Sequence, residues 1–83
     1  MIYNVYCIRD LKVGYMQPSL DINDSAATRN FKLGLATVSP ESVMGFAPED
    51  FDLYRIGTFD TEKGVISPLT VPEPIANGAS LEV

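Results

Sequence analysis

A turn pattern that occurs twice limits what this chain can fold into. Asp10-x-x-x-Gly14-Tyr15-Met16-x-Pro18 returns 50 residues later as Asp60-x-x-x-Gly64-Val65-Ile66-x-Pro68. In each copy an aspartate opens the turn, and glycine stands where a positive φ costs least. Each turn follows a run rich in β-branched and aromatic residues, Ile2 to Ile8 in the first case and Phe51 to Phe59 in the second. Each return strand stops at a proline, which cannot donate to a ladder. Two β-hairpins are therefore expected. Upstream, Tyr6-Cys7-Ile8 echoes Tyr54-Arg55-Ile56, with two extra residues before the second aspartate. A shift of two keeps side-chain parity, so Tyr6 and Ile8 should face as Tyr54 and Ile56 do relative to their turns. Shared turn chemistry is enough to explain the likeness, and a packing relation between the hairpins is the alternative.

Between the hairpins lies one helical pattern. Asn23 or Asp24 is a good N-cap, and Ile22 could staple onto Ala27. Ala27, Phe31, Leu35 and Val38 recur at helical spacing and predict the buried stripe, with Arg29, Asn30 and Lys32 turned outward. Ser39-Pro40-Glu41 predicts a short helical turn through Met44, closed by Gly45. Ala47-Pro48-Glu49-Asp50 predicts another single turn. Pro72, Pro74 and Asn77-Gly78-Ala79-Ser80 give the end a different character, so residues 70–83 are expected to be an extended or mobile tail. The order β-β-α-β-β predicts an α+β domain over residues 1–69, a small antiparallel sheet with one main helix on one face. With 83 residues there is room for one thin core and no second domain.

Both strand phases are apolar. Tyr3, Val5 and Cys7 occupy one phase of the first strand, and Ile2, Tyr6 and Ile8 the other. In the second hairpin Phe51, Leu53 and Phe59 alternate with Tyr54 and Ile56. One short helix covers one face of a sheet, and an antiparallel sheet open to water should alternate cleanly. The second face or an edge is therefore expected to be covered by another copy of the chain, as a homo-oligomer.

The side-chain inventory excludes much chemistry. With no histidine and one cysteine, the chain cannot build a zinc or iron–sulfur site alone, nor a histidine-dependent nucleophile. The glycines are scattered singly and form no phosphate loop. Eleven acids leave a carboxylate pair such as Asp50 and Asp52 arithmetically open, but most acids fall in turns or at helix starts. No catalytic, cofactor or metal site is expected, and no enzyme. The N-terminus lacks a basic region followed by an apolar run, no apolar run is long enough to span a bilayer, and the lone Cys7 suits a reducing compartment. A cytoplasmic setting is expected, with no membrane partner.

The net charge of −5 is unevenly spread. Residues 1–40 hold four cations and three acids, whereas residues 41–83 hold two cations and eight acids. Such a chain lacks the basic excess that drives non-specific duplex binding. Single strands ask for less: a few cations along the backbone and flat rings for stacking. Basic and aromatic residues do interleave here. Arg9, Lys12, Arg29, Lys32, Arg55 and Lys63 are the candidate phosphate contacts, and Tyr6 and Tyr54 the candidate stacking platforms. The competing reading of each is ordinary, as half-buried sheet tyrosines, a solvated helix face, or cations paired with nearby acids.

The string Tyr6-x-Ile8-Arg9-Asp10-x-Lys12-x-Gly14, then Pro18, then Asn23-Asp24-x-x-Ala27-x-Arg29-Asn30-Phe31, resembles the small nonstructural protein of gokushoviruses, single-stranded DNA phages of the microvirus group. Pro48-x-Asp50-Phe51-x-Leu53-Tyr54-x-Ile56-Gly57-x-Phe59-Asp60 and Gly64-Val65-Ile66-x-Pro68 continue the likeness, which covers residues 2–68. The resemblance implies an intracellular phage protein absent from the virion shell and linked to viral DNA synthesis or packaging. It assigns no chemistry to particular residues. The combined expectation is a self-associating, non-enzymatic phage protein that contacts single-stranded DNA. The alternative is an adaptor that binds a viral or host replication protein without touching DNA.

Overall fold

The computed structural model describes residues 1–80. In chain order these form strand β1 (Ile2–Asp10), β2 (Gly14–Tyr15), β3 (Ser19–Asp21), helix α1 (Asp24–Thr37), the short helix α2 (Val43–Phe46), a 3-10 turn (Pro48–Asp50), β4 (Phe51–Asp60), β5 (Val65–Asn77) and a second 3-10 turn (Gly78–Ser80). The strands make one antiparallel sheet in the order β2-β1-β4-β5, with β3 also pairing β1 beyond β2. The α+β class with one main helix is thus what the chain adopts.

The two hairpins are joined through their first strands, with β1 and β4 pairing from Ile2↔Asp60 to Asp10↔Phe51. Their turns consequently lie at opposite ends of the sheet. The repeat therefore goes with a packing relation as well as with turn chemistry. Gly64 takes φ 66° in its turn, as the pattern requires. The parity expectation fails, and for a local reason. Val5 pairs with Gly57 but Tyr6 with Arg55, so Ile56 is an extra residue bulged out of β4. One inserted residue reverses facing, and Cys7 becomes the partner of Tyr54. Tyr6 and Tyr54 lie on opposite faces.

α1 begins where expected, with the Asn23 side chain accepting the Ala26 N–H at 2.8 Å. Its stripe Ala27, Phe31 and Leu35 is buried against Tyr6, Phe51 and Leu53, with Ile8, Met44, Ile75 and Ala76 around them. Val38 serves as the C-cap instead of extending the stripe. The next turn starts later than Ser39-Pro40 suggests. The Ser39 carbonyl accepts from the N–H and hydroxyl of Ser42, which makes 39–42 a turn. Ser42 then caps α2, and Gly45 lies inside that helix, not beyond it.

β5 differs most from expectation. Pro68 does not end it, and pairing with β4 resumes at Arg55↔Glu73 and continues to Asp52↔Asn77. β5 is an edge strand, where a missing N–H on the outer side loses no ladder bond. Residues 69–72 are accommodated as an irregularity between Gly57↔Pro68 and Arg55↔Glu73. Of the expected tail, residues 70–77 are paired or bulged strand and 78–80 a 3-10 turn, while 81–83 lie outside the described residues. Gly78 seats this end on the first 3-10 turn, since a Cβ there would lie 1.8 Å from the Pro48 carbonyl oxygen.

Alternation along β1 puts Val5 and Cys7 on the face away from Tyr6 and α1. Both are buried within the single chain. The centre of the second face thus needs no other copy to close it, contrary to the sequence argument. Apolar exposure is spread over the surface instead, with Leu11, Val13, Tyr15 and Met16 at one end of the sheet, Met1, Ile2, Val65 and Ile66 at the other, and Leu33, Phe46 and Val71 elsewhere.

Candidate nucleic-acid interface

The hairpin turn at 10–14 fixes the arrangement that follows it. Asp10 pairs with Gly14, so Arg9 stands opposite Tyr15 on the face away from α1. Tyr54 reaches the same place from β4, because its partner Cys7 shares that face. The Arg9 guanidinium carbon lies 5.5 Å from the Tyr15 ring centroid and 5.8 Å from that of Tyr54. The two rings meet edge to face, with centroids 5.5 Å apart. Arg9 also donates to the Tyr54 hydroxyl at 3.4 Å, and this hydrogen bond helps hold its pKa above the ordinary arginine value. The cation is held by both rings while Tyr15 remains 49% exposed. Lys12 stands at the adjoining turn, where its backbone N–H donates to Asp10 and its side chain is in solvent.

Such a group offers an exposed ring face, a fixed guanidinium and a nearby ammonium. Aromatic stacking with flanking cations is the minimal equipment for one or two nucleotides of single strand. Arg9, Lys12 and Tyr54 among the expected residues are brought together. Tyr15 was not among them, although closing a hairpin around 10–14 places it opposite Arg9.

The remaining candidates go elsewhere. Tyr6 is 1% exposed, so no ring face is open to a base. Its hydroxyl donates to Asp24 at 2.6 Å and accepts from Asn4 at 3.0 Å. Burial first, then the bond to Asp24, pushes its pKa up to about 12. Arg55 points to the helix face, where its guanidinium holds Asp24 at 2.8 and 3.0 Å and also pairs with Glu73. Burial opposes its charge, and the two carboxylates outweigh that to raise its pKa. Arg55 is committed to joining α1, β4 and β5. Arg29 and Lys32 lie on α1, exposed and half-buried respectively, and Lys63 is in the turn at the far end of the sheet. The six cations therefore share no single track.

Cys7 is buried, which pushes its thiol pKa up and leaves it a packing residue. Among the described residues no three or more Cys, Asp or Glu side chains gather as metal ligands would. Residues 3–81 match the family model described as Phage ORF5 protein. No curated protein and no solved structure gives a significant match.

Proposed function

The chain belongs to the Phage ORF5 protein family, and from that premise we propose a non-enzymatic phage protein that contacts single-stranded DNA during genome replication or packaging. The likeness to the gokushovirus nonstructural protein supports a role in a single-stranded DNA phage, within the host bacterial cytoplasm. No helix among the described residues is long and apolar enough to cross a membrane. The observation that carries the reading is Arg9 clasped between Tyr15 and Tyr54 with Lys12 beside it. It supports a short contact, one stacked base and one or two phosphates, rather than a long binding channel.

Titration of a fluorescent thymidine oligonucleotide at low salt tests it. Replacing Tyr15 with Ala removes a stacking ring worth about 1–3 kcal/mol per base, so affinity should fall roughly tenfold. Arg9→Gln should weaken binding comparably, and Arg29→Gln on α1 should leave it nearly unchanged. Equal losses for Arg9→Gln and Arg29→Gln would reduce the interaction to diffuse charge and sink the assignment.

A further inference from the structure

Beyond the turn that carries Lys12, the same end of the molecule holds an apolar cleft of about 500 Å³ between the first hairpin and α2. Its walls include Val13, Tyr15, Met16, Val43, Met44 and Phe51. Two of these are largely in water, with Val13 87% and Val43 66% exposed. The cleft is therefore a groove that opens onto the surface, which suits a polypeptide better than an enclosed small molecule. Two methionines and a tyrosine in its walls allow side chains of different shapes to be accommodated.

The rim carries the second half of the argument. Asp10 lines the groove itself, and Glu41 sits between the lining residues Ser39 and Ser42. Glu49 and Asp50 lie on the 3-10 turn that leads into Phe51, against the hairpin turn through the Leu11 N–H to Asp50 carbonyl bond of 2.9 Å. None of these four carboxylates has an ion-pair partner among the described residues. Lys12 is the one cation in the adjoining turn. An apolar floor with an acidic rim is complementary to an apolar segment flanked by lysine or arginine. The same rim and the net charge of −5 oppose a second copy of this chain and a nucleic-acid strand alike.

We propose that this groove docks a short peptide segment of a partner protein, apolar at its centre and basic at its flanks. The proposal goes beyond the DNA reading and stands whether or not that reading holds. It turns on Val43, Met44 and the rim carboxylates, which are not part of the Arg9–Tyr54 pair, although Tyr15 belongs to both the groove wall and that group.

A fluorescein-labelled Lys-Leu-Leu-Lys-Leu-Leu-Lys-Lys peptide is the probe, titrated by anisotropy against the full chain, with a Glu-for-Lys version as control. The basic peptide should bind and the acidic one should not. Val43→Lys and Val13→Lys, both at exposed positions that leave the core alone, should each weaken binding about tenfold. Glu41→Gln with Glu49→Gln should weaken it about fivefold and flatten its salt dependence. Glu62→Gln, which changes net charge as much as Val43→Lys but at the far end of the sheet, should change affinity less than about twofold. The proposal is overturned if the basic peptide fails to bind at about 1 mM. Equal losses in Glu62→Gln and Val43→Lys would overturn it too, since they would mean attraction to overall charge. So would a wild-type protein whose mass doubles with concentration while Val43→Lys stays monomeric, because the occupant would then be a second copy.

Discussion

Tyr6 shows how one side chain can look functional in sequence and be structural in the fold. A tyrosine three residues from an arginine in a predicted strand reads as a stacking platform. Its ring instead lies under α1, and its hydroxyl links Asn4 on β1 to Asp24 in the first turn of the helix. Removing that hydroxyl leaves Asp24 and Asn4 each one partner short. Tyr6→Phe should lower stability by about 1–2 kcal/mol in urea denaturation. The pH dependence follows from the direction of the shift. The folded state holds the phenol proton up to about pH 12, whereas the unfolded chain releases it near the ordinary tyrosine value of 10.0. Between those values the folded state binds more protons, so stability falls as pH rises. The stabilisation is complete below pH 10 and lost through about 12. Urea midpoints across that interval should decline in the wild type and decline less in Tyr6→Phe. Arg55 belongs to the same network, through Asp24 and Glu73. These pairs are partly in water, so Arg55→Met should cost about 1 kcal/mol. It should leave oligonucleotide affinity where it was, since this guanidinium faces away from the two rings. A large loss of DNA binding in a folded Arg55→Met protein would place the nucleic acid on the helix face instead.

Elements were legible in proportion to how local their causes are. The hairpin turns are set by Asp10 and Gly14 and by Asp60 and Gly64, and α1 by Asn23 and the spacing of Ala27, Phe31 and Leu35, so each could be read from neighbours in the chain. The bulge at Ile56 could not. It arises from how β4 registers with β1, some fifty residues away, and it alone turns Tyr54 to the open face and Arg55 to the helix. The pairing of β5 beyond Pro68 has the same kind of cause, for prolines that would break a central strand are tolerated at an edge. Most of the candidate interface was accordingly readable, Arg9, Lys12 and Tyr54 among the residues expected and Tyr15 implied by the turn. Arg55 was misassigned by the single residue of parity, whereas Tyr6 was misassigned because α1 packs over its face of β1. The end of β5 depends on a close approach rather than on any pattern. Gly78→Ala would drive a methyl group into the Pro48 carbonyl, so the two 3-10 turns must separate. Overpacking of this kind costs about 1–3 kcal/mol. Thermal denaturation should show the loss, and hydrogen exchange should show it first at residues 73–77, which pair with β4 next to that contact. Unchanged exchange there would mean the strand is held by its ladder alone.

At the scale of the whole molecule, the placement of charge limits what DNA binding can look like. A chain with net charge −5 cannot attract a polyanion from a distance, and its six cations are divided between two faces and two ends. The contact proposed at Arg9 and Lys12 engages about two phosphates. Counterion release from single strands gives a slope of about −0.7 in log affinity against log salt for each phosphate neutralised, so two predict about −1.4. The stacking contribution of Tyr15 and Tyr54 is nearly independent of salt and sets the affinity that remains when the ionic part is screened. Oligonucleotide titrations at several salt concentrations should therefore give a shallow line, and Arg9→Gln should bring its slope to about −0.7. Tyr15→Ala should shift the line downward without changing its slope. These two signatures separate the cation from the ring, which a single affinity measurement cannot do. A slope near −4 would require about six phosphate contacts and hence a strand that passes over Arg29, Lys32 and Lys63 as well. Such a path must cross from the open face to α1, around the edge of a sheet whose β4–β5 hairpin carries Asp52, Asp60, Glu62 and Glu73. The charge distribution disfavours that path, and the shallow slope is the result expected.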